Sequence, residues 1–64
     1  MHERLKLALD ALGYDAGKEL AYKSNLIHAI QAFAILNGDQ EIEAACDVEI
    51  EKIRLEVMRR QSNT

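Results

Sequence analysis

The sequence predicts an all-α fold of three helices, and three observations lead to this prediction. Apolar residues recur at helical spacing in three segments of the 64-residue chain. Breaks containing glycine separate these segments at Gly13 and at Asn37-Gly38. The last segment, from Gln40 to Arg60, contains neither Gly nor Pro. We expect one domain over residues 1–64, a short helix followed by a long antiparallel helical hairpin, with helices at about 2–12, 15–36 and 40–60 and a frayed tail at 61–64.

The first helix has one apolar stripe and a defined end. The stripe follows the spacing i, i+3, i+4, i+7 and is widened on its flanks by Leu7 and Ala11; its members are Leu5, Ala8, Leu9 and Leu12. Gly13 can adopt the left-handed conformation that closes a helix. We therefore predict a Schellman closure in which Tyr14 folds back on Leu9.

The second helix contains the stretch from Ser24 to Gly38, which carries no Asp, Glu, Lys or Arg. Both Asp15 and Ser24 are suitable N-caps, so the helix begins at one or the other, and the longer helix from Asp15 is favoured. Spacings of four and three residues trace an apolar seam, with Ile27, Ile30 and Ala34 on its flank; the seam residues are Tyr22, Leu26, Ala29, Phe33 and Leu36. A narrow polar edge consists of Ser24, His28 and Gln31.

Asn37-Gly38-Asp39 predicts a tight reversal into the third helix, with Asp39 as its N-cap. Asn-Gly also occurs in β-hairpins, but the flanking segments have helical periodicity, which favours an αα-hairpin. The apolar residues of the third helix form two groups on roughly opposite sides. The main group is Ile42, Ala45, Cys46, Ile50, Ile53 and Val57, and the second group is Ala44, Val48, Leu55 and Met58.

Charge is segregated along the third helix. Acidic residues occupy its first half and basic residues its second half, with Glu56 as the exception; the series runs Asp39, Glu41, Glu43, Asp47, Glu49, Glu51, then Lys52, Arg54, Arg59, Arg60. This order is favourable to the helix dipole. The helix dipole is the favoured explanation, and an antiparallel partner helix, which would set the acidic half against the basic half, is the alternative.

The size of the chain favours self-association. A domain of this length has a marginal core, and small folds commonly compensate with disulfides, metals or oligomerisation. Cys46 is the only cysteine, which excludes an internal disulfide. We predict a homodimer or higher oligomer, completed as a helical bundle, whose interface uses Tyr22, Phe33, Ala44, Val48, Leu55 and Met58. If these residues pack within one subunit instead, a single chain covers its own apolar surface and self-association is not needed.

Few residues suggest chemistry. If the hairpin pairs as predicted, His28 lies level with Glu49, and the two are a possible pH-sensitive pair; alternatively His28 faces solvent and Glu49 reaches the rim of the core. Cys46 is expected to be a small buried hydrophobe, and its spacing from His28 does not support a metal site. No catalytic, metal-binding or cofactor-binding motif is recognisable, so we expect neither an enzyme nor a bound cofactor.

The composition of the chain disfavours two classes of partner, nucleic acids and membranes. A net charge of −3 argues against binding of nucleic acid through the phosphate backbone. The central apolar run is shorter than a membrane span and the N-terminus has no apolar signal region, so a cytoplasmic protein with no membrane partner is expected.

One family resemblance rests on three short stretches: Leu9-Asp10-Ala11-Leu12-Gly13-Tyr14-Asp15-Ala16-Gly17, Ala29-Ile30-Gln31-Ala32-Phe33 and Asn37-Gly38. Together they resemble the small three-helix peptidoglycan-binding domain of cell-wall hydrolases, over roughly half of the chain. The family's Asp-Gly-x-x-Gly-x-x-Thr loop is absent, and Leu26 stands where the Thr of its Gly-x-x-Thr step would be. The resemblance implies a cell-wall-binding module.

These observations rank three functions. The first is a small non-enzymatic helical protein that acts by protein–protein interaction, as an adaptor, regulator or inhibitor of an unidentified larger partner. A peptidoglycan-binding module and a nucleic-acid-binding helical dimer are the alternatives.

Overall fold

The computed structural model describes residues 1–62, in which the secondary structure is entirely helical: α1 (Glu3–Ala11), α2 (Leu20–Leu36) and α3 (Gln40–Ser62). This confirms the prediction of an all-α fold. Two predicted boundaries differ from the structure. α2 begins at Leu20, and α3 continues to Ser62, so Gln61 and Ser62 are helical although both were expected in the tail. The rest of the predicted tail, Asn63 and Thr64, lies outside the described residues.

α1 ends in the predicted Schellman closure. Gly13 has a φ of 80°, the left-handed region that a residue without a Cβ adopts at no steric cost. The N–H of Tyr14 donates to the carbonyl of Leu9 at 2.9 Å, and the N–H of Gly13 donates to that of Asp10 at 3.1 Å. These two bonds satisfy carbonyls that the helix end would otherwise leave without a partner.

The segment from Leu12 to Glu19 connects α1 to α2 as a folded turn. The carboxylate of Asp15 accepts a hydrogen bond from the N–H of Gly17 at 2.8 Å, and its carbonyl accepts one from the N–H of Lys18 at 3.0 Å. Asp15 therefore stabilises a turn instead of capping a helix. Both predicted starts of the second helix are wrong for this reason: Asp15 precedes α2, and Ser24 lies inside it.

α2 and α3 form the predicted antiparallel hairpin. At the end of α2, Gly38 has a φ of 70°, and the N–H of Asp39 donates to the carbonyl of Ala34 at 2.8 Å. Asp39 also starts α3, because its carboxylate accepts a hydrogen bond from the N–H of Ile42 at 3.2 Å. A single three-residue connection thus closes one helix and caps the next.

The core lies where the three helices meet. Its buried residues are Leu5, Leu9, Ile27, Ile30, Ala34, Ile42 and Cys46. α1 packs against both helices of the hairpin and contributes Leu5 and Leu9, which are completely buried. Leu7 and Ala11 do not widen this stripe as expected, since both are exposed, and Leu12, a predicted member of the stripe, is exposed as well.

The face of α2 that enters the core differs from the predicted seam. Ile27, Ile30 and Ala34, expected only as a flank, are the buried residues of α2. Of the predicted seam, Leu26 is half-buried, and the remaining members are exposed. α3 turns its predicted main face toward the core: Ile42 and Cys46 are buried, and Ala45, Ile50 and Ile53 are half-buried. Val57 remains exposed.

A hydrogen bond and an ion pair join the start of α1 to the start of α3. The Nε2 atom of His2 lies 2.5 Å from a carboxylate oxygen of Glu41, and a guanidinium nitrogen of Arg4 lies 2.6 Å from a carboxylate oxygen of Asp39. Over residues 1–62, none of the three helices is both long and apolar enough to cross a membrane.

Candidate interaction surface

An apolar stripe runs along the solvent side of α2. We call it the α2 stripe, and its members are Tyr22, Leu26, Ala29, Phe33 and Leu36. Phe33 is 66% exposed and Leu36 is 81% exposed. Such exposure of large apolar side chains is unusual on a helix with Lys23 as its only charged residue, since the outward face of a surface helix is normally polar.

Phe33 borders a shallow groove between α1 and α2. Arg4 and Ala8 of α1 line one side of the groove, and Phe33 and Asn37 line the other. Tyr22 marks the opposite end of the stripe, where its hydroxyl donates to the carbonyl of Gly13 at 3.1 Å. The α2 stripe therefore has a hydrogen-bonded aromatic ring at one end and an open groove beside its other aromatic ring.

A second apolar stripe follows α3. We call it the α3 stripe, and its members are Ala44, Val48, Leu55 and Met58. All four are exposed, with Val48 at 54% and Leu55 at 53%. Ala44 and Val48 border a groove whose other side is formed by Met1 and His2 at the N-terminus. The residues predicted for the interface are thus exposed on the described chain and divide into two separate stripes.

The structure does not form the predicted pair of His28 and Glu49. His28 is exposed, whereas the side chain of Glu49 is only 14% exposed and accepts a hydrogen bond from Nζ of Lys52 at 3.3 Å. The predicted level along the hairpin is nearly right, because Glu49 borders a groove together with Ile27, the residue before His28. The rotation of α2 about its axis is what separates them.

Gln31, expected on a polar edge, instead joins the two helices of the hairpin. Its amide nitrogen donates to the carboxylate of Asp47 at 2.7 Å and to the carbonyl of Glu43 at 3.2 Å. This pair of hydrogen bonds fixes the axial register of α2 against α3.

The pKa values of two side chains near Glu49, Cys46 and Tyr14, are raised above their ordinary values. Burial raises the pKa of the Cys46 thiol, and the nearby carboxylates of Asp47 and Glu49 raise it further. Burial also raises the pKa of Tyr14, with a smaller effect from Glu49. A thiol in apolar and acidic surroundings is a poor nucleophile, because the thiolate is the reactive form.

The arginines in the second half of α3 form ion pairs with glutamates of the same helix. Arg54 bonds to Glu51, and Arg59 and Arg60 both bond to Glu56, at 2.5 Å and 3.1 Å. Hydrogen bonds from Arg59 and then Arg60 lower the pKa of Glu56 to about 2. The hydrogen bond from Arg54 likewise lowers the pKa of Glu51.

The sequence prediction of the interface omitted six large apolar side chains that are exposed on the described residues: Met1, Leu7, Leu12, Ile35, Leu36 and Val57. Leu7 and Leu12 were assigned to the inward face of the first helix. No single periodicity could have identified Ile35, because apolar residues surround α2 on nearly all sides.

Across residues 1–62, no three His, Cys, Asp or Glu side chains converge in a way that could hold a metal ion. Comparison with protein-family models, with curated proteins and with solved structures gives no match to this chain.

Proposed function

We propose that this chain is a small non-enzymatic helical protein that acts by protein–protein interaction and associates with itself. It would serve as an adaptor, regulator or inhibitor of a larger protein. The observation that supports this proposal most directly is the exposure of Phe33 and Leu36 on a helix that has almost no charge.

Burial of these side chains in an interface is energetically favourable. Removing apolar surface from water stabilises a complex by about 25 cal/mol per Å² before the costs of association. Aromatic side chains in the centre of an interface commonly contribute most of the binding energy. Phe33, and to a smaller extent Tyr22, are the aromatic side chains exposed on α2.

The spacing of both stripes suits a helical partner. Members of the α2 stripe alternate at intervals of four and three residues, which is the repeat that helices use when they pack side by side. Ala29 lies at the middle of this stripe, and its small side chain allows close approach of another helix. A helix packing against either stripe would complete a bundle.

The experiment that tests the proposal is a measurement of molar mass by light scattering over a series of micromolar concentrations. We expect a mass above that of the 7.2 kDa monomer, falling on dilution. The double variant Phe33→Glu/Leu55→Glu introduces a carboxylate into each stripe and should remain monomeric at every concentration. A matched control, His28→Glu/Gln40→Glu, adds the same charge at exposed positions outside both stripes and should associate as the wild type does.

A wild-type chain that stays folded and monomeric throughout would contradict self-association. If that monomer sedimented with purified cell walls, the peptidoglycan-binding alternative would be favoured instead. If it bound nucleic acid with a steep dependence on salt, the nucleic-acid alternative would be favoured.

A further inference from the structure

The α3 stripe belongs to a longer repeat that includes charged positions. Spacings of three and four residues connect its members to two glutamates, in the order Glu41, Ala44, Val48, Glu51, Leu55, Met58. Charged side chains flank this repeat on both sides. Asp47 and Arg54 lie along one side, and Lys52 and Arg59 lie along the other, as expected from a rotation of about 100° per residue.

The charges beside the stripe change sign along the helix. Glu41, Asp47 and Glu51 precede the midpoint, and Lys52, Arg54 and Arg59 follow it. A second α3 in parallel orientation would place Glu51 beside the same residue of the second copy and Arg54 near its Arg59, so like charges would meet at both positions. The attraction between Asp47 and Lys52 of the second copy would offset only part of this repulsion. An antiparallel copy would place each acidic half beside a basic half.

We infer that the α3 stripe docks on the α3 stripe of a second copy in antiparallel orientation, with Asp47 of each copy beside Arg54 of the other. This inference rests on the proposed self-association and adds its surface, orientation and register. A two-fold axis relates the copies, so each contact occurs twice. The axis passes near the middle of α3, between Val48 and Glu51.

The register follows from the sizes of the side chains as well as from charge. With Asp47 opposite Arg54, the small Ala44 lies opposite the large Leu55 of the second copy. Ala44 and Val48 border the groove beside Met1 and His2, so this leucine enters a groove that exists in the single chain. Small residues facing large ones give the interdigitated packing that helical interfaces require.

The next possible antiparallel register is electrostatically unfavourable. Moving one copy along the helix axis by seven residues places Val48 opposite Met58 of the second copy. In this register Arg54 lies beside Arg54, and Lys52 beside Lys52, of the second copy. Two like-charge contacts then replace the two attractive contacts between Asp47 and Arg54. Charge complementarity therefore selects one register.

Two single charge reversals and their mixture test the pairing. Asp47→Arg gives contacts between arginines only, and Arg54→Glu gives contacts between carboxylates only, so each variant alone should dimerise at least about tenfold more weakly by sedimentation equilibrium at low salt. In an equimolar mixture, every contact joins opposite charges, and the dissociation constant should return to within about threefold of the wild-type value.

A control variant separates these contacts from a change in net charge. Asp10→Arg alters net charge by the same amount as Asp47→Arg, at an exposed position on α1, and should leave dimerisation unchanged. Because Asp47 also accepts a hydrogen bond from Gln31, circular dichroism must show that each variant remains folded at the concentrations used.

A distance measurement tests the orientation without altering any charge. A spin label on Ser62→Cys should give pairs separated by about 38 Å along the helix axis in the antiparallel dimer, from 1.5 Å per residue, and by about 10 Å in a parallel one. Cys46 is fully buried, so a brief reaction under native conditions should label Ser62→Cys much faster than Cys46.

The outcomes are distinguishable. A dimer with the short label distance, or one that neither reversal weakens, would overturn the inference and leave the proposed self-association intact. A wild-type monomer at all concentrations would overturn both. Weakening by each reversal, recovery in the mixture and the long distance together would support the antiparallel contact.

Discussion

Two leucines of α1 give a sharp test of how this small fold is stabilised. Leu9 is completely buried where the three helices meet, while Leu7, two residues earlier on the same helix, is 63% exposed. Replacement of each by Ala removes the same atoms from the same helix. Any difference in the free energy of unfolding therefore reports burial rather than helix propensity.

The expected size of the effect follows from the core. Leu-to-Ala changes at buried sites cost about 2–5 kcal/mol, and the cost is smaller where neighbouring groups can move into the space. α1 is short and is held chiefly by two buried leucines, so it can partly close the gap, and we expect Leu9→Ala to cost about 2–3 kcal/mol. A domain of this size has a total stability of roughly 3–10 kcal/mol, which makes this a large fraction.

The measurement is urea denaturation followed by far-ultraviolet circular dichroism at one fixed protein concentration, because association would add to the apparent stability. Leu7→Ala should change the free energy of unfolding by less than about 0.5 kcal/mol. Equal losses for both variants, or a larger loss for Leu7→Ala, would mean that α1 packs through its other face and would refute the described arrangement.

Three further predictions concern the hairpin and the end of α3. Gly38→Ala should cost about 1 kcal/mol in urea denaturation, since an L-residue is strained at a φ of 70° although the added Cβ meets no atom within 4 Å. Gln31→Ala should cost about 1 kcal/mol by the same assay through loss of the hydrogen bonds to Asp47 and to a carbonyl of α3; no change would mean that this contact does not hold the register. Because Arg59 holds the pKa of Glu56 at about 2, below its unfolded value, the stabilisation is complete above about pH 5 and is lost as pH falls toward 2. Carboxyl titration by NMR checks that pKa, and Glu56→Gln should remove this part of the acid sensitivity.

Local rules predicted the closure of α1, the closure of α2 and the start of α3. Gly13 and Gly38 both adopt the left-handed conformation expected of them, and Asp39 caps α3 as expected. These features depend on a few neighbouring residues and on backbone sterics, so sequence alone suffices. The start of α2 was missed because the Asp15 carboxylate can form either a helix cap or a turn, and the two compete.

The orientation of α2 could not be predicted from periodicity. Its apolar residues cover almost the whole circumference, so the seam through Phe33 and the face through Ile30 are similarly apolar. Which face enters the core depends on where α1 and α3 lie, and that is a property of the tertiary structure. The same rotation exposes His28 and turns Gln31 toward α3. The predicted interface residues stay a prediction, now placed on two exposed stripes.

The buried thiol of Cys46 can report how often the helices separate. Complete burial and a raised pKa keep a thiol reagent from reacting until the helices separate. When closing is faster than the chemistry, the rate of alkylation measures the population of opened molecules. Each tenfold slowing of that rate then corresponds to about 1.4 kcal/mol of additional protection, so a single unlabelled side chain can track folding, dilution and partner binding in the same sample.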